Sequence, residues 1–326
     1  MIEANFIKIS EELISDLNEK TKEIIVRRFG LRGRKKETLE SIGKSFGITR
    51  ERVRQIQNAV LKKIEPKLEK FTKVVEEIKN YLKKWGGARK EERLLEELAP
   101  KSKNELLFFL VVSGKFFREK EDDQVYTFWA LEKKISEKVR KILKKLCQEL
   151  EKNKRLFTLE ELAKLVEIEP TVLSSFLEIS KKIKDNKKGF FGLIEWPEVT
   201  PRGVKDLAYL VLKEAQKPLH FSEIAKLIAN ANVATVHNEL IRDKRFVLVG
   251  RGIYALREWG YFPGQLRDVI LEILKRKGRA MTKEEIIQEV KKQRLFKEST
   301  ILVNLSNKNY FVRDKDGKYW IKTAEI

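Results

Sequence analysis

Three successive segments of this chain repeat one order of events, and that periodicity constrains the fold more than any single motif. FTLEELAKLV opens the first with a cap and a helix, TVLSSFLEISKKI supplies a second helix, and GFFGLIEW reads as an aromatic hairpin. HFSEIAKLI, VATVHNELIRD and RFVLVGRGIYALREW repeat the order, and MTKEEIIQEV, STILVNLSNK and YFVRDKDGKYWI repeat it again. The expected caps Thr158, Ser222 and Thr282 lie 64 and 60 residues apart, and Trp196, Trp259 and Trp320 lie 63 and 61 apart. Thr158 with Glu161 has the spacing of a capping box.

Each repeat predicts three helices and a small hairpin, the composition of a winged helix. Gly250-Arg251-Gly252 and Asp316-Gly317 suit the hairpin turns. The expected modules span 132–200, 201–262 and 263–326. A degenerate copy over 88–131 takes KSKNELLFFLVV as its helix and FFREKEDDQVYTFW as its hairpin. The tryptophans at the hairpin ends are expected to plug cores, and Cys147 to pack inside its module. The C-terminal YWIKTAEI reads as ordered.

The N-terminal 1–66 follows a different pattern. In SEELISDLNEKTKEIIVRRFG the spacing of Leu13, Leu17, Ile24, Ile25 and Phe29 predicts a helix stopped at Gly30. After the basic loop LRGRKK, Thr38 caps a short helix, Gly47 and Ile48 turn the chain, and Thr49 caps a third helix to about Ile64. This is a helix-turn-helix pattern. Residues 67–87, ending at Gly86-Gly87, read as a helical linker of one or two helices.

On the third helix Val53, Ile56, Val60 and Ile64 form an apolar stripe, with Glu51, Gln55, Asn58 and Lys62 roughly opposite and Arg54 beside them. Arg50 and Arg52 crowd the first turn, where cations gain nothing from the helix dipole. Arginine and glutamine suit purine edges, glutamate can accept from cytosine, and lysine suits phosphate. The outward face therefore fits a DNA major groove, with a charged solvated helix as the alternative.

The segment LISDLNEKTKEIIVRRFGLRGRKKETLESIGKSFGITRERVRQIQNAVLKKI closely resembles region 4 of primary-type bacterial sigma factors, the domain that reads the promoter −35 element. By that resemblance Arg50, Glu51, Arg54 and Gln55 carry base and adjacent phosphate contacts, Lys62 and Lys63 lie near the backbone, and RNA polymerase is an implied partner through the first helices. Gln57 stands where the family usually carries glutamate. The resemblance covers about residues 10–65, without a counterpart of the aromatic sigma segment that melts the −10 element, so a self-sufficient sigma factor is not expected.

A second resemblance covers about 204–262. LKEAQKPLHFSEIAKLI followed by VATVHNELIRDKRFVLVGRGIYALREWGY resembles the HARE-HTH winged-helix family, which includes the N-terminal domain of the polymerase delta subunit. Family members contact DNA or polymerase; delta's acidic tail and its nucleic-acid displacement are not implied here. His237, Asn238, Arg242, Lys244 and Arg245 are candidate contacts in this module. Arg251 sits at a wing tip, placed for a minor groove or phosphate, or simply in a turn.

Composition agrees with a nucleic-acid partner: 70 Lys+Arg against 49 Asp+Glu leave a net charge of +21. One cysteine excludes an intrachain disulfide, and two histidines exclude a histidine-rich metal site. No Walker loop, acid/base pair or ligand cluster is specified, so neither cofactor nor metal is expected and the chain does not read as an enzyme. No stretch is long enough to span a bilayer and MIEANFIKISEELI lacks signal-peptide regions, so a cytoplasmic, nucleoid-associated place is expected. The fold class is then mainly α: a sigma region 4-like helix-turn-helix followed by tandem winged-helix domains with small β-hairpin wings. The expected function is a sequence-specific double-stranded DNA-binding transcription factor that engages RNA polymerase. A polymerase accessory subunit and a nucleoid or defence DNA-binding protein are the alternatives. Pseudo-repeats within one chain can replace a dimer's symmetry, which favours a monomer.

Overall fold

In the computed structural model, which describes residues 4–322, the protein is mostly helical, with small antiparallel sheets of two or three strands. The last four residues of YWIKTAEI and the first three of the chain lie outside the described residues. The chain forms two compact units, Met1–Glu195 and Trp196–Ile326.

The first unit begins with α1 (Phe6–Ile14), α2 (Glu19–Phe29), α3 (Leu39–Phe46) and α4 (Arg50–Ile64). The single helix expected up to Gly30 is thus two helices. Asn18 causes the break, its Oδ1 accepting from the Thr21 amide at 2.9 Å to cap α2. Leu17, between them, remains buried, which is why the apolar spacing continued across the turn. Thr38 and Thr49 cap α3 and α4 by accepting from Ser41 and Arg52, each at 3.1 Å.

After a 3-10 stretch at Glu65–Phe71 comes α5 (Thr72–Lys84), then β1 (Ala88–Lys90), α6 (Glu91–Leu98), α7 (Lys103–Ser113), β2 (Phe117–Glu119) and β3 (Phe128–Ala130). The order helix, strand, two helices, two strands recurs in α8 (Lys133–Asn153), β4 (Phe157–Thr158), α9 (Leu159–Val166), α10 (Pro170–Ile179), β5 (Ile183–Asp185) and β6 (Phe190–Leu193). In both sheets the last strand lies centrally, in the orders β1-β3-β2 and β4-β6-β5. The helix expected as a linker, α5, stands first in its repetition, as α8 does in the next. Buried Arg89 ties the two repetitions together: its Nη1 donates to Glu178 of α10 at 2.9 Å, its Nη2 to Glu97 at 2.5 Å, and it lies 3.9 Å over the Trp85 ring.

The second unit repeats the order in α11 (Val204–Ala215), β7 (Leu219–His220), α12 (Phe221–Leu227), α13 (Val233–Arg242), β8 (Phe246–Gly250) and β9 (Ile253–Leu256), with sheet order β7-β9-β8. Its last repetition has α14 (Leu266–Lys277), α15 (Lys283–Gln293), α16 (Glu298–Leu305), β10 (Phe311–Arg313) and β11 (Tyr319–Ile321). There a bridge from Met281 to Tyr319 takes the first strand's place.

Thr158 and Glu161 form the expected capping box, and Thr282, expected as a cap, forms one with Glu285. The cap expected at Ser222 sits two residues earlier. His220 Nδ1 accepts from the Ser222 amide at 3.3 Å, and Glu223 accepts from the His220 amide at 3.1 Å. Thr158, His220 and Thr282 are therefore spaced 62 and 62, a more regular repeat than the sequence suggested.

One apolar core runs from α1 to β3. Phe6, Ile9, Leu13 and Ile14 of α1 meet Phe108, Phe109 and Leu110 of α7, together with Val60 and Ile64 of α4. α7 is apolar on almost every side and buried accordingly. Polar ties fix α7 to the loop after α2 as well: Asn104 Nδ2 donates to the Gly30 carbonyl at 2.8 Å, and the buried Glu105 carboxylate accepts from the Arg32 amide at 3.1 Å.

Candidate nucleic-acid interface

The two helices α3 and α4 cross at a turn that only a small residue permits. A Cβ on Gly43 would come within 2.7 Å of the Ile48 carbonyl oxygen, so the turn closes directly on the α3 backbone. Beneath it Ile24, Ile42 and Val53 form a small separate core, fully buried, with Ile56 partly so. Farther along α4, Val60 and Ile64 enter the larger core. Both ends of the apolar stripe are therefore anchored, and the opposite face is fixed in the solvent.

Glu51, Arg54, Gln55, Asn58 and Lys62 are exposed on that face, while Arg50 at the first turn and Lys63 beside Ile56 are exposed at the flanks of the apolar stripe. They are not idle. Arg54 forks onto Glu51 at 2.9 and 2.6 Å, and Arg52 donates to Gln55 at 3.2 Å. The Arg54 guanidinium holds the Glu51 carboxyl below its usual range, so Glu51 is an ionised acceptor. Exposed pairs of this kind contribute little to stability and exchange readily for another partner. Lys63 leans toward the α1–α2 turn, 3.4 Å from the Asp16 carbonyl, whereas Lys62 projects freely into solvent.

Three residues that sequence reading left aside hold this helix pair in place. Arg27 forks onto Glu37 at 2.7 and 2.6 Å, reaches the Ser45 hydroxyl at 2.8 Å and lies over Phe46, joining α2 to both ends of α3. Its guanidinium lowers the Glu37 carboxyl to about 2. Arg28 donates to Gln57 of α4 at 3.2 Å and to the Glu37 carbonyl at 2.9 Å. Gln57 thus supplies a neutral amide where the sigma pattern has a carboxylate. The signal was present in the RRFG end of α2, but arginines there also complement a helix C-terminus, which hid the pairing.

The other candidates belong to the second unit. Arg242 is exposed in the last turn of α13 and Arg251 at the β8–β9 turn. That turn is pressed on an aromatic stack: a Cβ on Gly252 would meet His220 Nε2 at 2.4 Å, His220 lies 4.4 Å from Phe221, and Phe221 lies 4.3 Å from His237. His237 is accordingly a half-buried stacking residue. Arg245 is engaged in a clamp, donating to Asp206 at 2.8 Å and Asp243 at 2.7 Å, and is not a free contact. Asn238 and Lys244 are exposed.

Cys147 is half-buried, not in a core, and lines a pocket of about 380 Å³ beside Lys144 and Lys182; burial pushes its thiol pKa up. Trp129 is a core plug, whereas Trp259 and Trp320 are only partly buried against theirs. Among the described residues no group of three His, Cys, Asp or Glu could hold a metal ion, and no helix is long and apolar enough to cross a membrane.

Residues 13–65, which contain α2, α3 and α4 entire, match the family described as Sigma-70, region 4. The chain is similar to RNA polymerase sigma factor RpoS of Coxiella burnetii, 46% identical over 59 residues, which is 18% of this chain and 17% of that protein. It is also similar to RNA polymerase sigma factor SigA of a Bacillus species, 43% identical over 54 residues, 17% of this chain and 14% of the relative. RNA polymerase sigma factor RpoD of Helicobacter pylori is 47% identical over 55 residues, 17% of this chain and 8% of that protein. The chain therefore spans less than a fifth of each of these relatives, and the likeness is confined to its N-terminal segment.

Proposed function

We propose that this protein is a non-enzymatic, sequence-specific double-stranded DNA-binding transcription factor. Residues 1–66 act as a sigma region 4-like helix-turn-helix that reads a −35-like element. Four winged-helix modules follow, the third of the HARE-HTH type, with α5, α8, α11 and α14 as their first helices. The linker expected over 67–87 becomes part of the first module in this reading. The single observation that carries it is α4: anchored at both ends, it presents Arg50, Glu51, Arg54, Gln55 and Asn58 outward from a segment similar to sigma factors. Arg54 exchanges Glu51 for a guanine edge, Glu51 accepts from cytosine, and Lys62 and Lys63 meet phosphates. Arg242 and Arg251 add backbone or minor-groove contacts from the third module. RNA polymerase is the second partner, as the sigma resemblance implies.

Arg54→Ala is expected to cost about 1–3 kcal/mol of discrimination at one base pair, with binding to scrambled duplex nearly unchanged. Anisotropy titrations on matched and scrambled duplexes test this, and an equal loss on both would reject base readout by Arg54.

A second reading, a polymerase accessory subunit built of protein adaptors, draws on α7 and α16. α7 is buried where a winged helix would present a reading surface, and α16 exposes Leu302 and Val303, the latter 70% accessible. The burial of α7 leaves it unable to read DNA and the exposed apolar side of α16 favours protein contact, so the two activities can divide between α4 and the modules.

A further inference from the structure

Helix α8 carries charge in a way that the other lysine-bearing helices do not. At 100° per residue, Lys134, Lys138, Lys141, Lys145 and Lys152 fall within about 40° of one line. All five are exposed, and Val139, Leu143, Leu146 and Leu150 bury the opposite side. The line is about 27 Å long.

Several lysines on other helices pair with acids a turn away or on a neighbouring helix, as do Lys44 with Glu40, Lys79 with Glu76, Lys291 with Glu298 and Lys292 with Glu289. The ion pairs of α8 lie off the line, in Lys133 with Glu137 and in Arg140 with Glu119 and Asp122. On the line, Lys134, Lys138, Lys141 and Lys152 join no ion pair among the described residues, while Lys145 donates to the Leu165 carbonyl at 2.8 Å. Glu137 and Glu149 flank it. Lys134, Lys138, Lys141 and Lys145 follow one another at three or four residues, a spacing at which like charges repel, and Glu137 and Glu149 offset only part of that repulsion, so an anionic partner relieves the rest.

We propose that the exposed face of α8 is a sequence-independent docking surface for a nucleic-acid phosphate backbone. Its partner rests on the duplex-binding reading above; its location is separate from α4. Lysine is a flexible point charge suited to phosphate, and the line holds no arginine, with Gln148 as the one amide beside it. A duplex offers one negative charge per about 1.7 Å of axis, enough to face every ammonium along the line. An anionic lipid surface fits less well, because the apolar side of α8 is spent in the core and has nothing to insert.

The test compares wild type, the quadruple variant K134Q/K138Q/K141Q/K152Q, its Lys→Arg counterpart, and R50A/R54A. Each is titrated with matched and scrambled duplex between 50 and 200 mM salt. Loss of four phosphate contacts should flatten the log–log salt slope by about 3–4 on both duplexes, so that wild type loses roughly two orders of magnitude more affinity across that range than the glutamine variant. The arginine variant should keep the wild-type slope, which separates lost charge from a damaged fold. An unchanged slope in the glutamine variant overturns the proposal. If that variant flattens while R50A/R54A leaves sequence preference intact, the α8 surface stands and base readout by α4 falls. Flotation with phosphatidylserine vesicles completes the test: vesicle binding lost in the glutamine variant, with the duplex slope unchanged, would assign the surface to lipid instead.

Discussion

Phe109→Ala probes how the α3–α4 helix pair is supported. Phe109 is 1% exposed on α7, with its ring centroid 5.9 Å from Phe6 of α1 and 6.2 Å from Phe71, the latter edge-on. Truncating a buried phenylalanine costs about 3–5 kcal/mol through lost transfer energy and the cavity left behind. Loss of the two ring pairs places this site in the middle of that range, about 4 kcal/mol. In a unit of this size each kcal/mol shifts the midpoint by roughly 2–4 °C, so a fall of about 8–16 °C is expected. Thermal melts followed by circular dichroism give the shift, and limited proteolysis gives its extent. Because α1, α4 and α7 share one core, resistance should be lost together in residues 1–66 and in the segment that follows. A midpoint change under about 3 °C, or a resistant 1–66 fragment surviving in the variant, would refute the shared core.

Thr49→Ala removes the acceptor for the Arg52 amide at the start of α4 and should cost about 1 kcal/mol, with Thr49→Ser restoring most of it; chemical denaturation measures both. Since the frayed turn carries Arg50 and Glu51, affinity for matched duplex should fall more than affinity for scrambled duplex. Glu37→Gln tests the Arg27 clamp. The Glu37 carboxyl is lowered from 4.5 to about 2 by the Arg27 hydrogen bonds, with the Ser41 hydroxyl adding to them. A depressed folded pKa means that its stabilisation is present above the unfolded value and is lost as pH falls through the folded value. Melts between pH 5 and 2 should therefore decline less steeply in Glu37→Gln than in wild type, and parallel curves would show that the clamp does not couple to folding.

Much of the helix pair was legible because its punctuation is local. Thr38, Gly47 and Thr49 state where α3 and α4 begin and turn, and Val53, Val60 and Ile64 state which side is buried. The break at Asn18 was obscured because Leu17 kept the apolar spacing while leaving the helix. His220 gives a weak cap signal because a hydroxyl stands two residues later, although an unprotonated imidazole nitrogen also accepts from an amide. What could not be read was distant pairing. Arg245 reads as free in the sequence because its partner Asp206 lies far back in the chain, and Arg28 reads as a helix-end charge because Gln57 reaches it only in the folded structure. The exposed positions on α4 followed from periodicity alone, whereas the burial of α7 against α1 needed the assembled core.

Selection of bound duplexes from a random library, with wild type and R50A/R54A at one salt concentration, addresses promoter reading most directly. A −35-like motif in the wild-type pool that disappears from the variant pool is the expected result, and it would place base readout in residues 49–62. Motif-free pools from both proteins, with equal salt-sensitive binding, would contradict sequence reading by α4 and leave the chain as an adaptor or architectural protein.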